Sequence, residues 1–153
     1  MLRLSKKADY ALIAMTHLTL RAGSSSAREI AEQFDIPVEL MAKVLQRLTR
    51  RGLLASQQGT RGGYQLARAA AGITVADVIQ AIDGPVTVTA CSVHADRCGQ
   101  FDKCNVRDPL KKIREIIVSA LKTTTVSELA LDKAPDEAAA RPVRLMAQVG
   151  SRP

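Results

Sequence analysis

The sequence has no tryptophan, and two phenylalanines with two tyrosines bring its aromatic content to only 3% of 153 residues. A core without large rings must be aliphatic, and the shortage of strand-favouring aromatics points towards helices. Apolar residues still make up 46% of the chain, enough to build an interior. No uninterrupted apolar run reaches the roughly 18 residues that mark a transmembrane helix, so no membrane segment is predicted. Arg3, Lys6 and Lys7 are interleaved with an amphipathic pattern rather than placed ahead of an apolar stretch, which is not the layout of a secretory signal. The expectation is a cytoplasmic protein whose thiols are reduced. There are only two histidines, His17 and His94, far apart in sequence. No Ser/His/Asp set, paired carboxylates or Cys-x-x-Cys stands out, so neither an enzyme nor a small-molecule substrate is expected.

Acidic residues are scarce where basic ones are not. The net charge is +7, and residues 1–70 hold eleven Lys/Arg against five Asp/Glu, whereas residues 71–153 hold eleven against ten. A basic N-terminal half suits a polyanion, because neutralising phosphates releases condensed counterions. Charge alone separates this reading only slightly from a basic face kept for solubility.

Apolar residues Leu4, Ala8, Ala11, Leu12, Met15 and Leu18 recur at steps of three and four, which predicts a helix from Leu4 to about Leu20 with Ser5 as its cap. Ser26-Ala27-Arg28-Glu29 is a capping box opening a short helix that buries Ile30, Ala31 and Phe34. Pro37 restarts the chain in the first turn of a third helix, with Met41, Val44, Leu45 and Leu48 inward and Gly52 as its stop. Two helices joined by so tight a turn have the shape of a helix-turn-helix. The outward side chains of its second member are Glu39, Ala42, Lys43, Gln46, Arg47 and Arg50, types that suit base edges and phosphates. A plain three-helix packing unit would read the same way over this segment alone.

The next segment favours the DNA-binding reading. Leu53–Ser56 and Tyr64–Leu66 are strand candidates flanking Gln57-Gln58-Gly59-Thr60-Arg61-Gly62-Gly63, a hairpin placed where a wing belongs. Arg61 at its tip suits a narrow minor groove. Thr74 caps a fourth helix with Val75, Val78, Ile79 and Ile82 inward, ended by Gly84-Pro85. Asp108-Pro109 opens a long helix whose stripe Leu110, Ile113, Ile116, Ile117 and Leu121 has too little partner surface in so small a chain. Pairing with a second copy is the economical solution. The expected fold is mainly α with a small β-hairpin: a winged helix-turn-helix domain over 1–84, a cysteine loop over 85–106, and a dimerisation helix with a short terminal turn over 107–131. Residues 132–153 are Ala-, Pro- and charge-rich without period and read as a disordered tail.

All three cysteines fall in the loop, with six residues between Cys91 and Cys98 and five between Cys98 and Cys104. Polar surroundings argue against use as core hydrophobes, and three thiols cannot all pair within one chain. Neither gap is the short knuckle usual for structural zinc. Wider spacing fits an iron–sulfur cluster better, with zinc or a thiol redox switch as the alternatives.

Taken in order, Leu4-Ser5-Lys6-Lys7-Ala8-Asp9-Tyr10-Ala11, Arg61-Gly62-Gly63-Tyr64-Gln65-Leu66-Ala67, Ile73-Thr74-Val75-Ala76-Asp77-Val78-Ile79 and the triplet running into Cys104-Asn105-Val106-Arg107-Asp108 form a specific signature. Over roughly residues 1–131 the chain resembles the winged-helix iron–sulfur regulators typified by IscR and NsrR, and most of all those of the SUF assembly operon. The resemblance implies a homodimer that binds a double-stranded DNA operator and represses iron–sulfur assembly genes. It also implies a 2Fe–2S or 4Fe–4S cluster on Cys91, Cys98 and Cys104. Where IscR-like members place a fourth, histidine ligand, this chain has Arg107. Asp9 matches the carboxylate that NsrR-like members supply from the partner subunit, and His94 is the lesser alternative.

Overall fold

The computed structural model describes residues 4–60, 62–87 and 98–132. Its elements are α1 (Lys6–Leu20), α2 (Ala27–Gln33), α3 (Val38–Arg50), β1 (Leu54–Gln57), β2 (Gly63–Leu66), a short 3-10 turn (Ala70–Gly72), α4 (Val75–Asp83), a second 3-10 turn (Phe101–Lys103), α5 (Arg107–Thr123) and α6 (Val126–Leu131). The protein is therefore mostly helical with one two-stranded antiparallel hairpin. Among the described residues no helix is long and apolar enough to cross a membrane.

Helix α1 is the axis of the core. Ser5 caps it by accepting from the Ala8 amide at 3.1 Å, so the helix starts at Lys6 and Leu4 stays outside it, exposed. Ala8, Ala11, Ala14 and Met15 are all fully buried, a wider buried surface than one stripe. The reason is that α3, α4, α6 and β2 all pack on this helix, and alanine lets their backbones come close.

Capping boxes set three of the remaining starts, with Ser26–Glu29 on α2, Thr74–Asp77 on α4 and Thr125–Glu128 on α6. The turn between α2 and α3 places Asp35 at φ 52°, a left-handed conformation that Asp tolerates better than most side chains. Pro37 precedes α3 rather than sitting in it, and its carbonyl accepts from Leu40 and Met41 at 3.0 Å each. A 13-residue helix is marginal alone; α3 is held by burying Met41, Val44, Leu45 and Leu48, at about 1.5–3 kcal/mol for each large aliphatic side chain. Its end is a Schellman motif: Gly52, at φ 74°, donates to Thr49, and Leu53 to Leu48.

The chain then leaves this core and returns to it. Helix α5 begins at Arg107 and none of its residues is buried. It rests on α4, and Arg114 Nε donates to the Val86 carbonyl at 3.1 Å. Helix α6, expected only as a terminal turn, puts Val126 and Ala130 into the core against α1. Val75 donates to Thr124 and Val126 to Ile73, both at 2.9 Å, so Thr74 and Thr125 form a bridge that ties the starts of α4 and α6. Residues expected to form the disordered tail lie outside the described residues, Asp132 excepted.

The α6 cap gives a pH signature. The Glu128 carboxylate accepts from the Thr125 amide at 2.6 Å and its hydroxyl at 2.8 Å, which holds it below the ordinary glutamate range. A depressed carboxylate contributes stability that is full above its unfolded pKa and lost as pH falls through the lower native value. Glu128→Gln should therefore unfold at lower denaturant concentration than wild type at neutral pH, and the gap should close below the ordinary glutamate range. Denaturant midpoints across that range check this.

Candidate nucleic-acid interface and cysteine loop

Helix α3 carries Glu39, Lys43, Gln46, Arg47 and Arg50 exposed, with Ala42 half-buried, on the side opposite its core residues. The six expected contact positions thus share one face. Arg47 is more constrained than its neighbours: its Nε donates to the Ala81 carbonyl near the end of α4 at 3.1 Å, which fixes where the rest of the guanidinium points.

The hairpin pairs Leu54 with Leu66 and Gln57 with Gly63, leaving residues 58–62 as the loop of the wing. Arg61, the expected tip residue, lies outside the described residues. Sequence reasoning missed how the wing is anchored. Ser25, fully buried, donates its amide to the Tyr64 carbonyl at 3.0 Å and accepts from the Tyr64 amide at 2.8 Å. Its hydroxyl lies 3.3 Å from His17 Nε2 at the end of α1, and the imidazole meets the Phe34 ring edge-on at 5.7 Å. The next residue, Ser26, is the cap of α2. One serine therefore joins α1, the helix-turn-helix and the wing. The only sequence signal was the pair of glycines before Tyr64. A Cβ on Gly63 would lie 2.6 Å from the Ser25 carbonyl carbon and oxygen, so the contact requires glycine.

Of the cysteine set, Cys98 and Cys104 are free thiols, half-buried, on either side of the Phe101–Lys103 turn. The turn begins with the Phe101 amide donating to the Cys98 carbonyl at 3.1 Å, and α5 begins three residues after Cys104. A helical turn here was not foreseen, since three residues are too few to show a period. Arg107 stacks over the Phe101 ring at 4.9 Å and donates to its carbonyl at 3.3 Å. Its hydrogen bond to Asp108 and the negative charges of Asp108, Cys104 and Asp102 raise its pKa further. Arg107 is thus committed to the protein, at a position where a neutral ligand side chain would have to be free. Cysteine sulfurs are donors suited to a soft metal centre. Cys91 and His94 lie outside the described residues, and among those described no three His, Cys, Asp or Glu side chains come together as a metal site. Asp9 is half-buried in the first turn of α1, and among the described residues its carboxylate has no hydrogen-bond or ion-pair partner.

On α5 the expected stripe is open: Ile113 and Ile116 are 47% and 69% exposed, and Leu110, Ile117 and Leu121 are half-buried.

A helix-turn-helix followed by an anchored two-stranded wing defines a winged-helix DNA-binding protein. The chain belongs to the Rrf2 family, described as iron-dependent transcriptional regulators, whose family model matches residues 4–132. It is a transcriptional regulator and not an enzyme. Its sequence is 33% identical over 130 residues to the HTH-type transcriptional regulator IscR of Yersinia enterocolitica, covering 84% of this chain and 79% of that protein. Among solved structures it is similar to CymR, the global cysteine regulator of B. subtilis, with a TM-score of 0.72 and 27% identity over 88% of this chain and all of that one. It is also similar to T. potens IscR, with a TM-score of 0.68 and 25% identity over 86% and 88% of the two chains.

Gly63→Ala should force Ser25 and Tyr64 apart and cost about 1–3 kcal/mol, the range for overpacking a fitted contact. Thermal unfolding of the variant checks this; an unchanged midpoint would contradict the anchor.

Proposed function

We propose that the chain is a homodimeric, cytoplasmic repressor of iron–sulfur assembly genes whose operator affinity is set by a cluster held on Cys91, Cys98 and Cys104. The observation that carries this reading is the placement of Cys98 and Cys104. Both are free and accessible, and they bracket a turn that runs straight into the exposed α5. Similarity to IscR supports it. Dimerisation would cover Ile113 and Ile116 with a second copy of α5, removing apolar surface from water.

In this reading α3 lies in the major groove, with Glu39, Ala42 and Gln46 towards base edges and Lys43, Arg47 and Arg50 available to bases and phosphates, while Arg61 of the wing reaches the minor groove. When bound, the cluster would supply an iron-centred, oxidation-sensitive link among the thiolates. Asp9 of the second copy serves as the fourth ligand; among the described residues its half-buried carboxylate has no partner to compete for it. Because Asp9 belongs to α1, and α1 packs on α3, tension on Asp9 from the other subunit's loop reaches the recognition helix through one layer of packing. Arg107, held by Phe101 and Asp108, is not available as a ligand.

The two free thiols also favour a second reading, a thiol-responsive regulator with no cluster, since CymR shares the fold and is a cysteine regulator. Protein purified without oxygen separates the readings. The cluster reading predicts a brown protein with visible absorption, iron and sulfide, and loss or marked shift of that spectrum in Asp9→Ala but not in His94→Ala. Colourless protein, with or without zinc, would overturn it. An unchanged spectrum in Asp9→Ala would remove the cross-subunit ligand.

A further inference from the structure

A small cavity of about 90 Å³ opens between α1, α3 and α4, lined by Lys7, Lys43, Val44, Arg47 and Ile82. Three of these five residues are cations and none is an acid. Among the described residues the only ion pairs are Arg68–Asp77 and Arg107–Asp108, so Lys7, Lys43 and Arg47 have no carboxylate partner. Asp83, next to the lining residue Ile82, is turned to another task. It accepts from the amide and the hydroxyl of Ser5.

The cations are placed at an electrostatic cost, which Glu39, one turn before Lys43 on α3, offsets in part. Lys7 stands in the first turn of α1, where the helix dipole favours an anion. Lys43 and Arg47 are one turn apart on α3, a like-charge pair at i, i+4 that is mildly unfavourable. Arg47 is held in position by its Nε bond to Ala81, and among the described residues its terminal nitrogens have no other partner. Val44 and Ile82 are buried and give the cavity an apolar floor. An external anion would relieve all of these repulsions together. The space admits more than one water and so a single oxyanion group.

We propose that this cavity seats one phosphate of the DNA backbone, clamped by Lys7, Lys43 and Arg47. The inference rests on the operator-binding reading and sharpens it. At about 100° per residue, Lys43 and Arg47 lie on the flank of α3 nearest α4, whereas Glu39, Ala42 and Gln46 lie on the other flank. The outward face thus divides into a base-reading edge and a phosphate-holding edge. Because the clamp spans α1 and α3, it fixes the register of the recognition helix without reading sequence.

The test uses the full-length protein and random-sequence 30-base-pair duplexes, with affinity measured across salt concentrations. One neutralised phosphate contributes about 0.9 to the slope of log affinity against log salt. If one phosphate is shared, the triple variant Lys7→Gln, Lys43→Gln, Arg47→Gln lowers the slope by about 1 per DNA-bound subunit, weakens all duplexes alike, and shows strong non-additivity against the single variants. Three separate contacts would instead lower the slope by about 2.7, which overturns the clamp. Lys6→Gln, the exposed neighbour outside the cavity, should change nothing. Lys7 is exposed, and a loss of affinity in Lys7→Gln with an unchanged melting temperature excludes misfolding as the cause. A wild type whose affinity has no salt slope would overturn the DNA-binding reading itself, whereas a wild-type slope retained in the triple variant overturns only the clamp. Submillimolar inorganic phosphate binding at these residues, with DNA affinity unaffected by the triple substitution, would make this a free-phosphate site and also overturn it.

Discussion

The structure depends on one packing constraint: over about its first two and a half turns, at Ala8, Ala11 and Ala14, α1 must present little side-chain volume to its neighbours. Ala8, Ala11 and Ala14 are completely buried, and four elements close on the surface they form. In a core without tryptophan, and with its two phenylalanines at the margins, tight approach of backbones replaces bulk as the source of dispersion contacts. A larger residue at any of the three alanines would have to displace an element packed on α1. That is why a helix with no groove-reading role decides the geometry of the reading head.

The same helix carries several of the features discussed. Lys7 borders the cationic cavity, Asp9 is the carboxylate we propose as a ligand for a second copy, and His17 holds the serine that anchors the wing. A signal arriving at Asp9 therefore needs no long pathway. It acts on a rigid rod already in contact with α3, and small shifts of packed helices are how such bundles switch. The tie between α6 and the start of α4, through Thr74 and Thr125, matters here as well. It returns the chain to the core after α5, so the C-terminal end of the exposed helix is fixed to the DNA-binding unit, as its middle is through Arg114.

Local rules made much of this legible from the sequence. Ser26 with Glu29 and Thr74 with Asp77 marked helix starts, Gly52 and Gly84 marked stops, and the inward residues of α3 and α4 were read correctly from their period. What stayed hidden was long-range. Nothing in the period of residues 125–131 said that Val126 would be buried against α1, or that Ser25 would pair with Tyr64, because such pairings are set by the assembled fold. Leu4 was read as part of the apolar face, but the cap at Ser5 ends the helix before it. Nothing in the local pattern set Lys7 apart; only the convergence of three helices put it beside Lys43 and Arg47. Of the proposed ligands, Cys98, Cys104 and Asp9 are placed in the structure, and Cys91 and His94 lie outside the described residues.

The central claim is that the state of the cysteine loop changes the grip of α3 on DNA through α1. The direct measurement is the affinity of cluster-loaded and cluster-free wild type, at one salt concentration, for a duplex selected from a random pool by the loaded protein. A coupling of about 1–3 kcal/mol, usual for allosteric proteins, predicts a difference of roughly 5–150-fold. Equal affinities would mean that the loop and the reading head are independent, and the account would fail.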